Sequence, residues 1–275
     1  MCKNRIFVAY KPSFISSNRF LSSLKKKYKT KKAGFSGTLD PFARGVLIVA
    51  FGQYTKLFRF LKKSPKTYRA TLWIGAKSPT LDIEKITQIK EFNPLSLKEI
   101  DRVFKNLPKE LEYLPPKYSA KKIDGQRAYN LARKEVEFEL KSIKTTIFDL
   151  KLLSYSHPFL TFEISVSEGG YIRSIADILA KELHVFGSLS YLERLREGNF
   201  VYENEKSLNP LCYLKIKENF YLADIEDIFK GKVLKIEDFK IKEEGVYFLD
   251  CNDNLTIIKI KNNAVSYEVN NIKLC

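Results

Sequence analysis

Residues 34–52 read GFSGTLDPFARGVLIVAFG. Gly34, Gly37 and Pro41 punctuate the first eight positions, so 34–41 is expected to be a loop. GVLIVAFG, 45–52, is a short apolar run bounded by glycines and reads as a buried strand. Upstream, RIFVAY (5–10) has the composition of a strand, ended by Lys11 and Pro12 because proline supplies no ladder donor. Phe20, Leu21, Leu24 and Tyr28 fall near one helical face from Ser17 onward, and lysines crowd the end of that helix. Downstream, Thr55–Lys63 reads as a helix. KTYRATLWIG (66–75) alternates, with Tyr68, Ala70, Leu72 and Ile74 on one face, as a strand does.

Farther out, a helix is expected over Leu97–Leu107. The segment 115–134 opens with a stiff Pro-Pro turn, passes a Gly125 hinge and finishes as a basic helix. Leu160, Phe162, Ile164 and Val166 mark an alternating strand that runs into Gly169 and Gly170, after which YIRSIADILAKEL (171–183) has helical periodicity. Beyond Pro210 the pattern changes to short β-like runs, KVLKI, GVYFL, LTIIKI and VSYEV. The division expected is 1–210 for the main domain and 211–275 for a small all-β domain, with a soft boundary.

Composition narrows the partners. The chain has 275 residues, and 48 Lys plus Arg against 32 Asp plus Glu leave a net charge of +16. A polyanion is the natural partner for that balance, although a solvated lysine-rich surface would give the same count. Four scattered cysteines and two distant histidines offer no metal-ligand spacing and no readable disulfide framework. No run approaches the length needed to span a bilayer, and MCKNRIFVAYKP lacks the apolar core of a signal peptide, so the expected location is the cytoplasm.

Alone, Asp40 in a Gly-Thr-Leu-Asp-Pro turn reads as a turn former, Arg173 as a surface arginine and Tyr68 as a core tyrosine. Read together they change. The blocks YKP with Ser16 and Ser17, GFSGTLDPFARGVL, KTYRA, PPKYSAKKIDGQRAYNLAR, and GGYIRS followed by LERLREGNF stand in one order. That constellation resembles the TruB family of bacterial tRNA pseudouridine 55 synthases, over roughly residues 5–200.

The resemblance implies an α+β fold: a mixed, largely antiparallel sheet flanked by helices, with a cleft across it and a C-terminal PUA-like module. It implies isomerisation of a T-loop uridine in tRNA by base flipping, without metal or organic cofactor, by a stand-alone monomer. It places the essential carboxylate on Asp40, its pairing arginine on Arg173 and an active-site tyrosine on Tyr68. Leu192, with Leu195 as a competing alignment, packs beside the target base. Phe35, Lys11, Tyr118 and Tyr171 fall in the substrate surroundings, and Lys31, Lys32, Lys63, Lys121 and Arg127 are the expected phosphate contacts. A planar guanidinium that never releases its proton suits a carboxylate that must stay ionised, and an aromatic ring offers a flipped base a stacking face.

Two departures stand out. Relatives carry histidine where this chain has Phe35, which keeps the stacking surface and loses the titratable group, so activity is expected to persist without that group's pH dependence. IGAKSPTLDIEK keeps Thr80 and Asp82 of a Thr-x-Thr-x-Asp-x-x-Gly run but lacks its closing glycine, which bears on local turn geometry. The rival readings are an RNA-binding protein that has lost catalysis, a guide-RNA-dependent synthase acting on other RNA, and a general polyanion binder.

Overall fold

The chain spells its strands in two dialects. Those buried on both faces are almost wholly apolar, and those with one wet face alternate. The computed structural model describes residues 3–275, so Cys2 lies outside the described residues. In chain order the strands of the main body are β1 (Arg5–Lys11), β2 (Ala33–Ser36), β3 (Arg44–Phe51) and β4 (Lys66–Ile74). Next come the short ribbon β5 (Ala76–Lys77) with β6 (Gln88–Ile89), then β7 (Glu110–Tyr113) and the ribbon β8 (Lys122–Ile123) with β9 (Gln126–Arg127). β10 (Ile143–Ser156), β11 (Phe159–Val166) and β12 (Gly187–Glu197) complete the set. Helices α1 (Ser17–Lys27), α2 (Leu97–Asn106), α3 (Ala128–Arg133) and α4 (Ile172–Glu182) lie between them.

Eight strands form one sheet in the order β1-β3-β12-β4-β11-β10-β7, with β2 beside β3. Every pairing is antiparallel except the short parallel contact of Arg44–Gly45 with Glu193–Arg194. β1 and β3 are apolar because both faces are covered. Phe7, Ala9, Leu47 and Val49 meet Leu24 of α1 on one side. Ile6, Val8, Val46 and Ile48 meet Tyr54, Leu57 and Phe60 on the other. β4 alternates because one face alone enters the main core, where Tyr68, Ala70, Leu72 and Ile74 join the inner residues of β11 and the buried faces of α2 and α4. Each large apolar side chain buried there contributes about 1.5–3 kcal/mol relative to an exposed one.

Beyond residue 210, β13 (Lys217–Glu218), β14 (Gly245–Asp250), β15 (Asn254–Lys261) and β16 (Ala264–Lys273) form a second sheet in that order, with one short helix, α5 (Glu226–Phe229). One face of this sheet shares a core with the first body, since Leu255, Ile257, Val269 and Ile272 pack with Ile6, Val46 and Leu57. Its other face covers Ile228, Leu234 and Phe239.

Three local expectations change. Residues 34–36 are strand rather than loop, because β2 fills the edge of β3 that β12 leaves open. The helix expected at 55–63 is a 3-10 helix over Gly52–Phe60, and its buried residues Tyr54, Leu57 and Phe60 recur every third position, as three residues per turn require. The basic helix expected at the end of 115–134 is present as α3. KVLKI is no strand: Leu234 is buried from a loop and a 3-10 turn follows over Ile236–Asp238.

The parallel contact brings two backbones unusually close. Gly45 has a φ of 112°, and a Cβ there would lie 2.2 Å from the Arg194 carbonyl oxygen. Gly45→Ala is therefore expected to cost roughly 3 kcal/mol or more in denaturant unfolding. Gly169→Ala, at a φ of 91° but with nothing within 4 Å, is expected to cost about 1 kcal/mol.

Candidate active site

The loop carrying Asp40 is fixed from three sides. Leu39 and Phe42 are buried in the main core, the cluster that also holds Tyr68 and Leu192. The Ser17 hydroxyl both donates to the Leu39 carbonyl and accepts from the Leu39 amide, each at 3.0 Å, which ties the loop to the start of α1. The Lys11 ammonium is fully buried and donates to the carbonyls of Pro12 (2.8 Å), Ile15 (2.7 Å) and Pro41 (3.3 Å). Burial pulls its pKa down to about 8 against the opposing pull of Asp40, so it is still cationic at neutral pH. Beneath the loop, Arg194 donates to the carbonyls of Gly37 and Val46, each at 2.8 Å, and pairs with Glu197 at 2.8 Å. Glu197 also takes Lys66 at 3.1 Å. All three charged groups are buried, and a Cβ on Gly37 would sit 2.9 Å from the Lys66 ammonium. These anchors leave Asp40 as the loop's outward carboxylate, its side chain 32% exposed.

Arg173 reaches it from the first turn of α4. The turn before that helix is held by the Tyr171 amide, which donates to the Tyr113 hydroxyl at 2.9 Å. The guanidinium is 3% exposed and spends its donors on four oxygens. Nε meets Asp40 Oδ2 at 2.9 Å, Nη1 meets the Thr80 carbonyl at 2.7 Å and Asp82 Oδ2 at 3.3 Å, and Nη2 meets the Tyr118 carbonyl at 2.9 Å. Asp82 is in turn held by the Thr80 hydroxyl at 2.6 Å and the Glu84 amide at 2.9 Å. Its pKa nevertheless rises to about 6. Burial is the main cause; the Thr80 hydroxyl, Arg173 and the Glu84 amide oppose it, and nearby Asp40 adds to it.

Asp40 and Arg173 open onto a cleft of about 310 Å³, within the size range of small-molecule sites. Phe35 and Tyr118 supply aromatic surface there, and Lys85, Arg127 and Arg133 supply positive charge. The shape and the charge suit a flat, hydrogen-bonding group attached to an anionic chain.

Of the residues singled out from sequence, Asp40, Phe35, Tyr118, Arg127 and Arg173 line this cleft. Tyr68 and Leu192 are not part of its lining; they belong to the same core cluster as Leu39 and are 7% and 6% exposed. Tyr171 is half-buried, its phenol pKa pushed up by burial and, to a smaller degree, by Asp40. Two lysines stand differently from expectation. Lys11 spends its ammonium on backbone carbonyls inside the protein, so it positions the loop and presents no surface to substrate. Lys63 is largely buried, donating to Ser36 and pairing with Glu168 at 3.1 Å each, and so joins the segment before the Asp40 loop to the turn before α4. Lys121 donates to the Lys141 carbonyl at 3.1 Å, and Lys31 and Lys32 are exposed.

The sequence reading missed Asp82 as part of the site. Thr80 and Asp82 were visible within a turn pattern, but only the fold brings that turn to Arg173. The Arg194, Glu197 and Lys66 cluster was also missed, and its signal was available: charged residues at inward strand positions of LERLRE and KTYR. The raised pKa of Asp82 has a sign that can be tested. Stability from this group is fully present below about pH 4 and is lost as pH rises through about 6. Relative to Asp82→Asn, the parent chain is expected to gain about 1.4 kcal/mol of unfolding free energy between pH 7.5 and pH 5, read by urea denaturation at both pH values.

Known proteins share the sequence and the fold of this chain. The family described as TruB family pseudouridylate synthase (N terminal domain) matches residues 25–172. The chain is 52% identical over 272 residues to tRNA pseudouridine synthase B of Campylobacter jejuni subsp. jejuni serotype O:6, covering 99% of this chain and 100% of that one. It is 54% identical over 271 residues to the protein of the same name from Sulfurimonas denitrificans, covering 98% and 99%. In fold it is similar to a chain of a Cbf5-Nop10-Gar1 complex, at a TM-score of 0.70 and 17% identity over 97% of this chain and 84% of that one. A chain of an H/ACA RNP bound to a substrate RNA containing 2'-deoxyuridine gives 0.67 and 16%, over 98% and 85%. The matched segment contains the Asp40 loop, β4, the Asp82 turn and the start of α4, and the full-length relatives extend it across the chain: this protein belongs to the TruB family of pseudouridylate synthases.

Proposed function

We propose that the chain converts uridine to pseudouridine at position 55 in the T-loop of tRNA, with Asp40 as the essential carboxylate. The observation that carries this reading is the Asp40 to Arg173 contact of 2.9 Å at the wall of an aromatic and basic cleft. Binding alone requires no buried guanidinium aimed at a half-exposed carboxylate. The named relatives are tRNA pseudouridine synthases, which supports tRNA as the substrate.

The reaction breaks the C1′–N1 bond, turns the uracil and joins C1′ to C5. The proton lost from C5 is balanced by the proton gained at N1, so no electrons are exchanged with another molecule. The carboxylate of Asp40 is the group placed to act at the ribose or the base. Arg173 neutralises and orients it. Tyr68 and Leu192, which share the main core with Leu39, are the proposed apolar wall, met by the base through the small part of each that is exposed, and the Tyr68 phenol is the group proposed to take part in removing the C5 proton. Phe35 and Tyr118 offer rings for the flipped base, whose extrusion costs a few kcal/mol that backbone contacts offset. Lys31, Lys32, Lys121 and Arg127 are the proposed phosphate contacts, with Lys63 reassigned to the Glu168 bridge. Residues 1–210 form the catalytic unit and 211–275 a small PUA-like β module. The protein acts in the cytoplasm, as a monomer without an obligate protein partner; among the described residues no helix is long and apolar enough to cross a membrane.

The test is tritium release from tRNA labelled at C5 of uridine. The parent chain is expected to release tritium from position 55, and Asp40→Asn to lose at least about 1,000-fold of the rate while binding the RNA. Binding by both proteins with release by neither would overturn the reading, and release by Asp40→Asn would remove Asp40 from its role.

A further inference from the structure

The turn between β1 and α1 holds an exposed aromatic that the site above does not use. Phe14 is 76% exposed, the most exposed aromatic side chain among the described residues. It also sits at a φ of 63°, in the left-handed region where turns ordinarily place Gly or Asn and where a bulky residue is strained. Its ring belongs to none of the buried apolar clusters among the described residues. Two other residues at the cleft have positive φ. Leu81, at 60°, lies between Thr80 and Asp82, which both bind Arg173, so the network accounts for it. Lys85, at 58°, places its ammonium over the Tyr118 ring. Phe14 has no such account: a strained backbone holds an apolar ring in water.

The turn is nonetheless rigidly placed. The Lys11 ammonium bonds the carbonyls of Pro12 and Ile15, one on each side of Phe14, and with its remaining donor reaches Pro41, the neighbour of Asp40. One buried cation thus fixes the Phe14 turn relative to the catalytic carboxylate. Two residues after Phe14 the chain enters the cleft wall at Ser16, Ser17 and Asn18. The turn that carries the ring therefore adjoins the cleft wall, and its backbone is held in place before any ligand arrives, which lowers the entropic cost of contact. The lining of the same cleft includes Arg127 and Arg133, suited to the backbone of a nucleic acid.

We propose that Phe14 is a stacking platform for an unpaired base of the substrate RNA next to the base that enters the cleft, and so a residue that positions substrate. This rests on the reading of the cleft as a uridine site. Stacking on an aromatic ring tolerates any base and is lost on truncation.

Phe14→Gly separates the two roles the residue could have, because glycine relieves the backbone strain while removing the ring. For the variant, the KM for tRNA in tritium release is expected to rise about ten-fold with kcat held, and the Tm to stay equal or rise. Phe14→Tyr is expected to restore the parent KM. A second readout needs no turnover. In a Trp73→Phe background, which removes the single native tryptophan, the fluorescence of Phe14→Trp is expected to be quenched by an unmodified T-stem-loop transcript. An unchanged KM in Phe14→Gly, a KM rise accompanied by a fall in Tm, or unquenched fluorescence at RNA concentrations that saturate the parent would each overturn the proposal while leaving the synthase reading intact. If the parent itself releases no tritium, the synthase reading fails and this inference fails with it.

Discussion

A guanidinium buried to 3% needs oxygens close by to offset the loss of water, and in this protein that demand organises the site. Arg173 draws together the Asp40 loop, the Thr80–Asp82 turn and the Tyr118 segment, three stretches far apart in the chain. Two carboxylates share this one cation. Asp82 is the more deeply buried, and its pKa of about 6 records that its charge is bought at a desolvation cost. Asp40 keeps access to the cleft. The pair thus divides the work: one carboxylate anchors the arginine from inside while the other is presented outward at a fixed angle.

The loop that presents Asp40 rests on a second set of buried cations. Lys11 and Arg194 each spend donors on backbone carbonyls on either side of it, at Pro12, Ile15 and Pro41 and at Gly37 and Val46. Cations bonded to carbonyls hold a backbone more stiffly than apolar contact alone, because losing one bond leaves a charge unsatisfied in a low-dielectric interior. The parallel meeting of β3 with β12 makes this possible. It brings Arg194 beneath the loop at the point where β2 has ended.

Much of this fold could be read from the sequence where one physical pattern dominates. RIFVAY needed no partner to be recognised as a strand, nor GVLIVAFG as a buried one, and the alternation of KTYRATLWIG separated its two faces. Asp40, Arg173 and Tyr68 were not separable from ordinary turn, surface and core residues by local pattern; only their order within the family's blocks singled them out. What stayed hidden was long-range. Gly34 and Ser36 look like loop residues until the open edge of β3 is known. Glu197 looks like a surface glutamate until β12 turns it inward beside Arg194 and Lys66. Lys11 was expected in the substrate surroundings and Lys63 among the phosphate contacts, yet one is buried on carbonyls and the other is paired with Glu168. Net charge overstates the surface free to meet RNA when cations serve the fold.

On the function proposed, the arginine is required for its geometry as well as its charge. Arg173→Lys retains the positive charge but cannot reach Asp40, Asp82 and two carbonyls together, since an ammonium has three donors and no planar fork. The most direct measurement is single-turnover tritium release by this variant against the parent, with RNA affinity and unfolding recorded beside it. A fall of at least about 100-fold in the rate with affinity within two-fold is the expected result. A lysine variant that folds, binds and turns over at the parent rate would contradict the account.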